Sequence, residues 1–374
     1  MQGTKSRRAF TLIELLTVLV IIALIIGITV PVIGRARDSA KAVQTRAMIT
    51  QIVNASTAFV TDQRRLPGYF KAIDMGQSDN KVRGMSGMEN VILDLAGAAA
   101  IVPDGTAGSI KVGPSNNVAN QISVDPSLLG TGDSANKAYL TLDKRYFVPQ
   151  LYPSQQATGG ANGHTGALDT DLQLPDMVDA WGQPLLAWSV DETATLAVRA
   201  PTDAGATAPT DGAFAMKESP TGANAKRALV YYNQNCCFLE ATALGKKGID
   251  QTAQSLLSQT GNSANYLETL AGALGSPAAP YKDPANPFNA PIVALKARGG
   301  LMIQSAGRDG VYFGKSDNGA KQFPSAKIDY QFNFVNKVGG KTNNAADQLL
   351  DKNNKPTTID VLDKFDDLMG VAGN

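Results

Sequence analysis

The chain has 374 residues, 34 Lys and Arg against 33 Asp and Glu, one His and two Cys, for a net charge of +1. A charge this close to zero excludes a mechanism built on neutralising many phosphates, so no nucleic-acid partner is required. The single histidine, His164, removes His-based triads and His-rich zinc sites, and adjacent Cys236 and Cys237 make neither a four-cysteine metal site nor a disulfide scaffold. With 36 Gly and 6% aromatics, the composition predicts a modest core with many turns, in one large domain or two ordinary ones.

The N-terminus carries the strongest signal. Met1 to Arg8 contains Lys5, Arg7 and Arg8 and no acid, and Phe10 to Ile33 is then apolar except for Glu14. As a helix, these roughly 24 residues reach about 36 Å, enough to cross a hydrocarbon core of about 30 Å. The preceding cations predict a cytoplasmic N-terminus and export of everything after the span. A cleaved secretory signal would have a shorter apolar core and a small-residue cleavage site, which this run lacks, so a retained span is predicted. Glu14 is the anomaly. A charged residue near the centre of such a helix costs roughly 2.5–3.5 kcal/mol on insertion scales, so it needs a partner. Cutting the chain before Phe10 would place a new α-ammonium about one helical turn from Glu14, as counter-ion on the same subunit or a neighbour.

The stretch Arg7-Arg8-Ala9-Phe10-Thr11-Leu12-Ile13-Glu14-Leu15-Leu16 resembles the processing motif of type IV pilins and type II secretion pseudopilins. The resemblance implies that a prepilin peptidase cuts between Ala9 and Phe10 and methylates the new amino group of Phe10. It also implies that Glu14 guides docking into a helical filament and that the helix breaks or kinks at Pro31. Ala9 stands where the family usually has Gly. Processing would remove Lys5, Arg7 and Arg8, leaving acids in slight excess and easing extraction of the subunit from the bilayer.

From Gly34 to about Thr61 the helix is predicted to continue as an amphipathic stalk, with Ala36, Ala40, Val43, Ala47, Ile52, Ser56 and Phe59 as its stripe. It ends before Pro67, which disfavours helical geometry at Leu66. The closing segment Phe59 to Pro67 resembles the pseudopilin pattern of an aromatic, an Asp, a basic residue and a Pro. Ser86 and Glu89 predict a capping box leading a helix from Asn90 to Ala100. Residues 103–136 read as loop or ragged strands, and the 158–170 region around His164 and residues 201–225 as loops. Residues 249–257 and 263–274 read as short helices, and 276–291 as a Pro-rich connection. Strands are predicted at 184–190 and 228–232, then in a C-terminal meander of 301–305, 311–313 and 328–335, with a closing helix at 358–369. Trp181 and Trp188 read as packing anchors. Asp191-Glu192 reads as a turn, Asp366-Asp367 as a solvated helix face. Cys236 and Cys237 fall beside a strand, where neighbouring side chains face opposite ways, one predicted buried and the other exposed.

Two of these segments extend the resemblance. Asp179-Ala180-Trp181-Gly182-Gln183-Pro184 is similar to a turn of the major type II secretion pseudopilin, and Ser305-Ala306-Gly307-Arg308-Asp309-Gly310 with Ile328-Asp329 to its C-terminal loop. In that family the loop binds calcium. Calcium takes about 6–8 oxygen ligands, part of which Asp309, Asp317 and Asp329 can supply, with Ser305 and Asn318 as neutral helpers. Lys315, Lys321 and Lys327 crowd the same loop and favour the plainer reading, in which Asp309-Gly310 is a hairpin turn.

The expected fold is α+β, a long N-terminal hydrophobic helix packed on an antiparallel sheet with large loop-rich insertions. The expected divisions are a leader at 1–9, a transmembrane and filament-core helix at 10–33, a stalk at 34–66 and an exported domain at 67–374. No catalytic cluster is evident. The resemblance implies a non-enzymatic filament subunit in the cytoplasmic membrane, N-terminus inside, most similar to a secretion pseudopilin that polymerises into a fibre driving protein export. Its expected partners are like subunits, the peptidase, an assembly platform and its ATPase. The alternatives are a surface type IV pilin or tip subunit for adhesion or DNA uptake and, more remotely, a membrane-tethered enzyme or binding module.

Overall fold

The computed structural model describes residues 11–131, 137–141, 145–148, 174–194, 214–219, 227–239, 255–257, 265–275, 292–293, 297–314, 317, 331–332, 362 and 365–373. The fold is α+β, with one long helix and antiparallel sheets, plus one short parallel pair of Ala215–Met216 with Val230–Tyr231. The chain divides into two compact units, residues 1–44 and residues 45–374.

The described part of the first unit is helical. Helix α1 (Leu12–Gln63) begins there, and its apolar side chains from Leu12 to Ile33 are exposed. Where hydroxyls occur they are turned back onto the backbone: Thr17 Oγ1 donates to the Ile13 carbonyl at 2.8 Å and Thr29 Oγ1 to that of Ile25 at 2.7 Å. This hides both polar groups and leaves a surface suited to hydrocarbon or to other helices. The helix runs through Pro31 without ending there.

The second unit starts with the remaining turns of α1. Thr45, Met48, Ile49, Ile52, Ala55, Ser56 and Phe59 are buried, a stripe at three- and four-residue steps. The predicted stripe is right at Ile52, Ser56 and Phe59. Val43 and Ala47 are instead exposed, because the buried row runs through Met48, Ile49 and Ala55. The stripe faces a three-stranded sheet ordered β11 (Leu368–Ala372), β9 (Leu301–Ser305), β5 (Leu186–Ser189), all antiparallel. On this face Ala187, Leu301, Ile303 and Ala372 pack with Ile49, Ile52 and Phe59, and with Met88, Val91, Ile92 and Leu95 of helix α4 (Gly87–Leu95). Leu186, Trp188 and Met302 point the other way, into a second cluster with Tyr232, Phe238, Leu270, Leu274, Tyr312 and Phe313. The central strand is thus buried on both faces, as the two-residue side-chain period requires. A Cβ at Gly370 would lie 2.2 Å from Ile49 Cγ2, so glycine is what allows β11 to approach α1 so closely.

The end of α1 is tied to α4. Arg65 grips Asp94 with both guanidinium nitrogens, at 2.5 and 2.9 Å, and lies 4.8 Å from the centre of the Phe59 ring. Asp94 also accepts the Gly68 amide at 2.7 Å, while Asp62 takes Lys137 at 2.8 Å and the Tyr139 hydroxyl at 3.1 Å. Arg65, backed by Phe59, therefore joins α1 to α4, and Asp62 ties the end of α1 to residues 137–139. The predicted capping box is present, with Ser86 Oγ accepting the Glu89 amide at 3.1 Å and Glu89 Oε2 accepting the Ser86 amide at 2.7 Å. Its helix stops at Leu95, short of Ala100.

Several expectations are corrected. Residues 255–257 form a bridge and turn, whereas the helix predicted next to them is present at Asn265–Leu274. Residues 311–313 are a turn, and β10 (Gln331–Phe332) pairs with β8 (Ile292–Val293) instead of joining β9. In place of the end of the final helix stands β11, since Leu368–Ala372 is an apolar run that completes the sheet. Cys236 and Cys237 lie in a short helix, and both are buried with no disulfide between them. Trp188 is fully buried as expected, and Trp181 is half-buried. The 158–170 loop with His164 and the 276–291 connection lie outside the described residues.

Glu89 gives the unit a measurable pH dependence. Burial, then the nearby Asp176 carboxylate, pushes its carboxyl well above the ordinary glutamate value. The folded state therefore holds a proton that the unfolded chain releases, and stability falls as pH rises from the ordinary glutamate value through the raised one. Glu89→Gln retains the acceptor oxygen for Ser86. Thermal melts of the full chain in detergent micelles should show a flatter loss of stability above pH 5 for this variant than for wild type; parallel curves would contradict the assignment.

Candidate functional site

The N-terminal site rests on Thr11 and Glu14. The Thr11 amide and hydroxyl both donate to Glu14 Oε2, each at 2.9 Å, and the Glu14 amide donates to Thr11 Oγ1 at 3.3 Å. This reciprocal pattern is a capping box at the first turn of α1. It gives the Glu14 carboxylate donors within its own chain and fixes one of its oxygens toward the helix start. That end of the helix carries the positive pole of the backbone dipoles, so a carboxylate there is favoured and an ammonium added there gains from having Glu14 beside it. The Thr11-x-x-Glu14 spacing is the sequence signal for this box.

The second site lies where two loops meet behind the central sheet. Asp179 Oδ1 accepts the amides of Trp181 at 2.8 Å and Gln183 at 2.9 Å, closing the turn that leads into β5. Its other oxygen accepts Ser305 Oγ at 2.7 Å, joining this turn to the end of β9. Tyr312 adds a hydrogen bond from its hydroxyl to the Pro184 carbonyl, and the Ala180 amide reaches Thr45 Oγ1 on α1 at 3.2 Å. Burial pushes the Asp179 carboxyl up despite these donors. The two segments 179–184 and 305–310 are thus a single hydrogen-bonded unit.

Beyond Ser305 the chain turns into an acidic hollow. Oxygen atoms of Asp309, Asp317 and Asp366, all half-buried, lie within 4.8 Å of one another. The Asp309 amide donates to Asp366 Oδ2 at 2.9 Å, and Asp309 Oδ1 accepts the Val311 amide at 2.7 Å. A Cβ at Gly307 would sit 2.2 Å from the Asp366 carbonyl, and one at Gly314 would sit 2.8 Å from Asp309 Oδ2, so both glycines let the acids converge. Next to them, Asp367 accepts Gln304 Nε2 at 2.8 Å and the Phe313 amide at 2.9 Å, and burial pushes its carboxyl well above the ordinary aspartate value. Oxygens bound at calcium distances of about 2.3–2.6 Å are at most about 5 Å apart, so the three carboxylates suit a divalent cation of that size. A cation there would favour the charged form of Asp367.

Of the residues singled out in the sequence, Glu14 sits in the capping box and Pro31 lies within α1. Asp309 and Asp317 are together. Ala9, Phe10 and Asp329 lie outside the described residues. The third carboxylate of the hollow is Asp366, which was read as part of a solvated helix face. That pair of acids instead leads into β11, and the strand carries it against the 305–314 loop. The apolar Leu368–Ala372 run with Gly370 at its centre was the available sign of a strand.

Residues 4–30 match the family model described as the prokaryotic N-terminal methylation motif. No curated protein matches the chain, and no solved structure matches it. The matched span contains the Thr11–Glu14 box and most of the apolar run, and α1 is the helix among the described residues that is long and apolar enough to cross a membrane. The chain therefore carries a prokaryotic N-terminal methylation motif, and the motif lies at the start of a helix long and apolar enough to cross a membrane.

Proposed function

We propose that this chain is a structural subunit of a type IV filament-like assembly, most similar to a type II secretion pseudopilin. Its N-terminus would face the cytoplasm and its second unit would be exported. A prepilin peptidase would cut between Ala9 and Phe10 and methylate Phe10. An ATP-driven machine with a membrane platform would then add the subunit to a membrane-rooted fibre, whose extension moves exported proteins. The observation that carries this reading is the Glu14 carboxylate, held at the helix start on an otherwise apolar, exposed surface. One oxygen is engaged by Thr11; in this reading the other would accept from the ammonium of an incoming copy. Glu14→Val would remove this anchor while making the span more apolar. Chemical cross-linking of membranes should then show inserted but unassembled subunits, whereas ladders equal to wild type would contradict the role.

Calcium belongs to the same proposal. Asp309, Asp317 and Asp366 would hold it, bracing the loop after β9 against the start of β11, with Asp329 as a further ligand. When bound, the ion supplies charge neutralisation and a cross-link between these segments. At 100 times its Kd, calcium should stabilise the chain by about 2.7 kcal/mol. Thermal melts with calcium or with chelator should therefore separate for wild type and coincide for Asp366→Asn. Coincident wild-type melts would remove calcium from the account.

A further inference from the structure

A cavity of about 470 Å³ opens in the second unit, away from both sites described above, lined by Phe70, Asp74, Gln77, Asp79, Pro114, Ser115 and Asn120. Its size falls in the range of about 300–1,000 Å³ that small-molecule sites occupy. Three features describe what it would take. First, two carboxylates line it and no cation does. Asp79 Oδ2 accepts the Asn116 amide at 3.0 Å, and neither acid forms an ion pair among the described residues. Second, Phe70 offers an aromatic surface, its ring fixed edge-on by Tyr69 at 5.2 Å and its backbone held by both ends of the Asn90 amide. Third, the walls are built from short, anchored elements. Helix α2 (Ala72–Met75) carries Asp74, and Asn80 at the start of α3 (Asn80–Arg83) donates to the Met75, Met85 and Asn233 carbonyls.

We infer that this cavity binds an organic cation, an alkylammonium or guanidinium group of the kind that ends a lysine or arginine side chain. The cation would lie against Phe70, with Asp74 and Asp79 as counter-charges and the Gln77 and Asn120 amides as neutral acceptors. Aromatic faces attract ammonium and guanidinium groups, and carboxylates supply the balancing charge. A neutral sugar would use the aromatic and the amides but leave both carboxylates uncompensated. A bare divalent metal would gain nothing from Phe70. The electrostatics agree: although Asp74 is exposed, partial desolvation and the charge of Asp191 push its carboxyl up, against the lowering effect of Lys71 and Arg227 and of the Lys71 amide. An added cation would reverse that shift.

The test is calorimetric titration of the full chain in detergent micelles with Nα-acetyl-lysine methylamide, its norleucine counterpart, cadaverine, methyl glucoside and calcium chloride. The lysine derivative should bind at least about tenfold more tightly than the norleucine one, and added salt should weaken it. Asp74→Asn and Asp79→Asn retain the oxygens that accept the Lys71 and Asn116 amides, and each should weaken lysine binding about fivefold or more. Cadaverine binding more tightly than the lysine derivative would point to free amines, and the reverse to polypeptide side chains; either supports the proposal. Equal binding of the lysine and norleucine derivatives would overturn it. So would stronger binding of methyl glucoside, or calcium binding that both Asp variants abolish while lysine binding is absent. The salt dependence in wild-type protein decides the matter even if a variant fails to fold.

Discussion

A carboxylate one turn into an otherwise greasy helix is tolerable only where donors surround it, and the start of α1 meets that requirement. At Glu14 the donors are the amide and hydroxyl of Thr11, three residues back. The capping arrangement uses the unpaired backbone at a helix start, where nitrogens point outward and negative charge is welcome. The acid is consequently stable in a lone subunit and still presents an acceptor at the one place where a trimmed chain would carry an amine. The twenty or so apolar residues that follow are exposed, with their two threonine hydroxyls folded inward. Such a surface has to be covered by lipid or by other helices, and both environments make the unsatisfied charge of Glu14 more costly and its pairing more valuable.

The second unit follows a different logic, built on packing. Its central strand is covered on both faces, by α1 and α4 on one side and by a Tyr- and Phe-rich cluster on the other. Polar side chains do the joining. Asp94 holds Arg65 and the Gly68 amide, Asp179 closes its own turn and reaches Ser305, and Gln304 links Trp188 to Asp367. Asp94 and Asp179 each accept several donors, while Gln304 accepts from Trp188 and donates to Asp367, and these bonds tie together segments far apart in sequence without a disulfide.

How much of this was legible in the sequence depended on the range of the interaction responsible. The long helix, its apolar run, the Ser86–Glu89 box and the strands at 186–189 and 301–305 follow from local periodicity and capping, and they stand as expected. Segments 179–184 and 305–310 each carry a recognisable local pattern, but only the Asp179–Ser305 bond brings them together. Errors fell where distant contacts decide. Residues 368–369 look helical beside Asp366 and Asp367, yet pairing with β9 makes them strand. Asp366 was accordingly left out of the acidic hollow, because nothing local places it beside Asp309. The stalk stripe drifted for a similar reason: small residues at Ala47 and Val43 fit a helical period, but the sheet sits under Met48 and Ile49. The Thr11–Glu14 box was legible and went unused, since the acid was considered only as one half of an ion pair.

The central claim, that a freshly exposed amine at Phe10 completes the environment of Glu14, is tested most directly by intact-mass spectrometry of the mature protein extracted from native membranes. The account predicts a mass lower than that of the full chain by residues 1–9 and higher than the trimmed chain by one methyl group. A mature protein that still carries Met1, or a trimmed chain starting anywhere other than Phe10, would contradict it.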